Sequence, residues 1–202
     1  MDFQTFRLKA KDYPVFKYID LLKWFPNDNE QTIKQNLKSW VKKETLERII
    51  KGIYKLKETE IKEEFLLASY FNQSSYISLE SALSFYGMIP EYSYSITSVT
   101  IKKTKKFTTN YGVFSYRKIK LDLFFGFKLI TGDNYLYRIA TPEKALFDFI
   151  YLNQREINTS DYFKEMRLTL PNDISWKKLS SLLSLLKKKV IISFLKSYVN
   201  GQ

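Results

Sequence analysis

The chain has 202 residues, 45% of them apolar and 17% aromatic, which is enough to bury a genuine core and excludes intrinsic disorder. Lys and Arg number 33 against 21 Asp and Glu, and this net charge of +12 points to a polyanion or an acidic protein as partner, although a Lys-, Phe-, Tyr-, Ile- and Asn-rich composition is also what an AT-rich genome produces. With no Cys and no His, the composition excludes disulfides, thiolate and imidazole metal sites, cysteine nucleophiles and Ser-His-Asp hydrolysis. No apolar run approaches the roughly 18 residues of a membrane span, and no basic-then-apolar leader follows Met1. A cytoplasmic protein without membrane contact is expected.

The pattern predicts a first helix over Phe3 to Ala10, ending before Tyr13-Pro14 because the residue preceding proline avoids the α region. A second helix carries Ile19, Leu21 and Leu22 and stops at Phe25-Pro26. The third is the clearest: Asp28 or Asn29 caps it, and Ile33, Leu37, Trp40 and Val41 recur at i, i+4, i+7 and i+8. Leu46 to Ile50, Lys51-Gly52 and Ile53 to Leu56 then read as strand, tight turn and strand. Three helices followed by a β-hairpin make a winged helix-turn-helix. Further on, Glu63 to Phe71 reads as helical, and Ser78 is placed to cap a helix through Leu79, Ala82, Leu83 and Tyr86 that stops at Gly87. Residues 93 to 138 are β-rich, with strands at 96–101, 113–119, 124–130 and 135–139 and with Asp133 as a turn residue. Thr141-Pro142-Glu143 is a helix start, Glu143 supplying a first-turn carboxylate, and Ser175 begins a helix with Leu179, Leu182, Leu183 and Leu186 on one side. The fold class expected is α+β, a winged helix-turn-helix over residues 1–60 followed by a mixed α/β domain over 61–202.

On a wheel at about 100° per residue, the face of the third helix opposite its apolar stripe holds Gln31, Gln35, Lys38, Ser39 and Lys42. Amides and hydroxyls read base edges and ammonium groups reach phosphates, so this face has the chemistry of a major-groove reader, although any solvated helix face is polar. The hairpin adds Arg48, Lys51 and Lys55, placed to meet flanking phosphates. A second basic surface is formed by Lys102, Lys103, Lys105, Lys106, Arg117, Lys118 and Lys120, a stretch without an acid. It suits a nucleic-acid backbone or an acidic protein, and equally suits strand-edge lysines that discourage edge-to-edge association. Glu60 and Lys62 form an E-x-K pattern, but a nuclease site needs a further acid beside it to hold Mg²⁺, and in so lysine-rich a chain the pattern arises by chance. The six glycines are scattered and form no phosphate loop. No enzyme activity, metal or cofactor is expected.

Three strings carry a resemblance: Arg48-Ile49-Ile50-Lys51-Gly52-Ile53-Tyr54, then Tyr76 to Glu91, then Ala140-Thr141-Pro142-Glu143-Lys144-Ala145-Leu146-Phe147-Asp148. In this order, over residues 15 to 150, the chain resembles the AbiEi family, antitoxin-type transcriptional regulators of bacterial abortive-infection (type IV toxin–antitoxin) systems. The resemblance implies an N-terminal winged helix that binds double-stranded DNA at its own promoter and represses it. It also implies a C-terminal domain that counters a nucleotidyltransferase-like toxin without forming a stable complex with it. Where many members have Gly before the wing, this chain has Lys43-Glu44-Thr45-Leu46. Other readings are a stand-alone regulator, or an RNA- or protein-binding module whose winged helix is a docking unit.

Overall fold

The computed structural model describes residues 1–90, 95–132 and 135–200, and the chain is α+β. It divides into two units: Met1–Gln73 with Thr109–Tyr111 and Thr131–Leu136, and Ser74–Thr108, Gly112–Ile130 and Tyr137–Gln202.

In the first unit α1 (Phe3–Ala10) starts where the Asp2 carboxylate accepts the Thr5 amide at 3.0 Å. β1 (Phe16–Lys17) leads into α2 (Tyr18–Trp24), whose start is fixed by the Lys17 amide donating to Asp20 at 2.8 Å. Asn29 accepts the Gln31 amide at 2.7 Å and caps α3 (Glu30–Lys42). β2 (Leu46–Ile50) and β3 (Ile53–Leu56) follow, and β1 pairs with β3, so the sheet order is β1-β3-β2. Phe6, Phe16, Leu21, Ile33, Leu37, Trp40, Leu46 and Leu56 make one core, with Trp40 stacked on Phe6 at 4.6 Å and Val41 partly buried beside it. β1 is two residues long, too short to leave a periodic trace in the sequence. The boundary expected after residue 60 omits α4 (Glu64–Phe71), which belongs to this unit: its Leu66, Leu67 and Ala68 are buried, and the Lys17 ammonium lies 5.7 Å from the Tyr70 ring.

The second unit is built on β4 (Ser75–Ile77), α5 (Glu80–Phe85), β5 (Ile96–Thr100), β6 (Lys105–Thr109), β7 (Gly112–Lys118), a 3₁₀ turn (Leu121–Leu123), β8 (Phe127–Gly132), β9 (Tyr135–Ala140), α6 (Pro142–Leu152), α7 (Asp161–Glu165), α8 (Trp176–Leu183) and α9 (Val190–Asn200). Its strands lie in the order β6-β7-β5-β4-β9-β8; β4 runs parallel to β9, and β5 parallel to β7. Two expectations are corrected. Ser78 does not cap α5: Leu79 occupies the cap position with φ +59, and the Ser78 hydroxyl points instead into the core. Phe124 and Phe125 lie outside β8, because the 3₁₀ turn and Gly126 at φ +73 intervene. α7 and α9 are additional helices without a counterpart in the sequence reading. The turn assigned to Asp133 and the Glu91 end of the second string lie outside the described residues.

Candidate nucleic-acid interface

The hairpin of β2 and β3 turns at Lys51-Gly52, where Gly52 has φ +81, a conformation that favours glycine. Its register shifts between Arg48 and Ile50, a bulge that re-aims the strand next to the turn. Between α3 and this hairpin lies an open cleft of about 800 Å³. Its walls carry Lys34 and Lys38 from α3, and Arg48, Lys51 and Lys57 from the hairpin and the segment after it. Tyr18, Tyr54, Glu44 and Glu47 complete the polar lining. Of the expected DNA contacts, Lys38, Arg48 and Lys51 therefore converge on one concavity, and among the described residues none of the three is in an ion pair. Gln31, Gln35, Ser39 and Lys42 are exposed on α3 but do not line the cleft.

Lys55 is corrected. It is buried at 5% exposure, and its ammonium donates to the carbonyls of Leu56 and Lys57, each at 3.3 Å, and of Thr59 at 2.6 Å. Its charge is balanced by Glu47 at 3.6 Å. Lys55 therefore ties down the end of the hairpin and cannot reach a phosphate. Sequence reasoning missed Lys34, Lys57 and the two tyrosines. Lys34 is partnered: it donates to Glu30 at 3.1 Å and lies 5.4 Å from the Tyr18 ring, and this bond holds the Glu30 carboxyl below its ordinary range. Tyr18 reaches both elements, its amide donating to Gly52 at 3.0 Å and its hydroxyl to Glu30 at 3.2 Å.

In the second unit, Lys102, Lys103, Lys105, Lys106, Lys118 and Lys120 are all exposed. The Lys118 amide donates to the Thr104 hydroxyl at 3.1 Å, which brings the end of β7 beside the turn before β6. β6 is an outermost strand, so Lys105 and Lys106 stand on a sheet edge. Arg117 is corrected: it is partly buried and donates to Asn153 at 2.6 Å and to the Leu152 carbonyl at 2.7 Å, which commits it to the end of α6. Glu60 is exposed, and the described residues contain no group of three acids that could hold a metal ion.

The most enclosed polar cluster was not anticipated as a unit. Lys144 and Asp148 of α6 form an ion pair with both side chains fully buried. Tyr76 and Ser78 donate to the second carboxylate oxygen at 2.9 and 2.8 Å, and Lys144 also donates to the Tyr76 hydroxyl at 2.9 Å. Burial drives the Asp148 carboxyl up and the Lys144 ammonium down, and their mutual attraction opposes both shifts. Gly126 packs against the Lys144 stem, where an added Cβ would meet Cγ at 3.0 Å. Enclosed on all sides, the cluster joins β4 to α6 and has no surface to offer a ligand. The signal lay in α6 itself, apolar on nearly every side with Lys and Asp at i and i+4. Glu143, by contrast, caps a second helix start: its carboxylate accepts the Ser175 amide at 3.0 Å. No protein-family model and no curated protein matches the chain.

Proposed function

We propose that this chain is a DNA-binding transcriptional repressor of its own promoter and the antitoxin of a type IV toxin–antitoxin system, with an N-terminal winged helix-turn-helix as its DNA-binding part. The observation that carries the DNA-binding half is the cleft between α3 and the β2–β3 hairpin, with Lys38, Arg48 and Lys51 on its walls and in no ion pair among the described residues. A helix of 13 residues is about 20 Å long and fits a major groove about 12 Å wide, leaving the hairpin to straddle the adjacent phosphodiester backbone. Cations held at such a cleft release condensed counterions when a phosphate enters, a gain independent of sequence. Gln31, Gln35 and Ser39, exposed beside the cleft, supply the groups that read base edges.

The antitoxin half rests on the AbiEi-like strings, two of which lie in the second unit. Its exposed lysines on and beside β6 offer a surface for the toxin's nucleic-acid substrate or for an acidic protein. A cytoplasmic location goes with this role, and no helix among the described residues is long and apolar enough to cross a membrane.

Anisotropy titrations of the full chain on DNA from upstream of its gene, at several salt concentrations, test the DNA-binding half. Lys51→Ala and Arg48→Ala each weaken all sequences alike and lower the salt slope by about one unit, whereas Gln35→Ala and Ser39→Ala relax preference by about 1–3 kcal/mol per lost base contact. Unchanged binding by all four variants would sink the assignment.

A further inference from the structure

Glu44 departs from its surroundings in both charge and backbone. It follows the last residue of α3 and its cap, and its φ is +55, in the left-handed region that favours glycine. It is exposed and lines the cleft together with Lys34, Lys38, Arg48, Lys51 and Lys57. Yet among the described residues its carboxylate is in no ion pair, whereas Glu30 pairs with Lys34 at 3.1 Å and Glu47 with Lys55 at 3.6 Å. The side chain therefore contributes nothing visible to holding the fold, at a backbone position where a long side chain is unfavourable. The turn that closes α3 demands this backbone, the Glu44 amide donating to Val41 and the Thr45 amide to Trp40, each at 3.1 Å, so the conformation is fixed by the main chain and the carboxylate is left over for the cleft it lines.

Resting on the duplex-binding reading above, we propose that Glu44 is a specificity-determining residue of the cleft, accepting a hydrogen bond from the N4 amino group of a cytosine in the major groove. A carboxylate only accepts, so it needs a donor. Phosphates offer none and are repelled, which confines the backbone to the part of the cleft walled by Lys38, Arg48 and Lys51. Among base edges in the major groove, cytosine presents an amine, while adenine sets the N7 acceptor beside its N6 amine and guanine presents acceptors only. Cytosine is thus the base an unpaired carboxylate selects.

The test is selection from a randomised duplex pool by the full chain, carried out with the wild type, Glu44→Gln and Glu44→Gly, each checked by thermal melting. The wild type enriches cytosine at one position by about 5-fold to 150-fold, the range that one good base contact provides. Glu44→Gln moves that position toward adenine, whose N6 and N7 a Gln amide matches, and Glu44→Gly abolishes the preference there. Both variants bind mixed-sequence duplex a few-fold more tightly at low salt, because a repelling charge is gone. Sequence-dependent binding with the same base profile in all three proteins overturns the role of Glu44 alone. A wild type that binds no duplex overturns the winged-helix reading and this role with it. Glu44→Gln keeps side-chain size, so a folding defect in the Gly variant does not remove the test.

Discussion

Lys144 and Asp148, one turn apart on α6, neutralise each other in a space from which both side chains are wholly shut off from solvent. Removing one member leaves the other as an uncompensated buried charge. Asp148→Asn or Lys144→Met alone is expected to lose about 3–5 kcal/mol of stability. The double variant Lys144→Met with Asp148→Asn should lose far less than the sum, since the desolvation of both ions disappears with them. Urea unfolding of the four proteins measures this coupling, and additive losses would show that the two residues act independently.

Lys55 and Lys51 are four residues apart on one hairpin and should respond differently to truncation. Lys55→Met keeps the buried stem but removes the ammonium that donates to the carbonyls of Leu56, Lys57 and Thr59 and takes the cation away from Glu47, which keeps only the Tyr111 hydroxyl at 2.9 Å among its described partners. Each lost bond to a charged group is worth about 1.5–3 kcal/mol, so this variant melts early but, where folded, keeps the wild-type salt slope. Lys51→Ala keeps the melting temperature and lowers the slope. Melting curves and salt titrations on the same samples separate the two; a reduced slope for Lys55→Met would mean that its ammonium does reach the nucleic acid.

Alkaline pH should weaken the second unit through Tyr86. Its hydroxyl donates to the Ala140 carbonyl at 2.8 Å, and burial, reinforced by the negative charge of Glu143, pushes the phenol up from 10.0 to about 12. A group raised in the folded state contributes in full below its unfolded value and loses that contribution as pH climbs through the folded one. Stability attributable to Tyr86 therefore drains away between pH 10 and about 12. A rise from 10.0 to about 12 corresponds to about 2.7 kcal/mol, which partial exposure reduces to on the order of 1 kcal/mol. Unfolding free energies at stepped pH for the wild type and Tyr86→Phe check the sign: the gap between them must narrow as pH rises.

The exposed lysines of the second unit allow a clean separation of functions. Charge reversal at Lys103, Lys105 and Lys106 in the full chain should abolish rescue from the toxin and leave repression intact. Exposed charges contribute less than about 1 kcal/mol each, so the triple variant stays folded. Full rescue by that variant would reduce the run to the protection of a sheet edge.

How much of this was legible in the sequence depended on whether period and direction could both be read. The first helix, the third helix with its cap, and the two hairpin strands follow the boundaries that periodicity and turn residues set. Lys55 was misread because it was placed by its charge. On a period of two it shares a face with the buried Ile53, but Leu56 on the opposite face is buried as well, so alternation alone could not place it. At Glu44 the left-handed backbone closes α3, its amide donating to the Val41 carbonyl at 3.1 Å, a conformation that no periodic pattern announces. The cleft itself was not legible, because Lys34 and Lys57 join it only through the packing of α3 on the hairpin.

The bonds from Tyr76 and Ser78 to Asp148 span 72 and 70 residues of chain. The β2–β3 hairpin, by contrast, is closed by neighbours, Ile50 facing Ile53. Loop closure over so long a span is slow relative to local pairing, so the second unit is the late-forming part. On a ribosome, the hairpin and the helix beside it are free to assemble while α6 is still unsynthesised. Until Asp148 emerges, Tyr76 and Ser78 lack the acceptor that completes their core, and a chain stalled before that point would carry its N-terminal helices and hairpin on an open second unit.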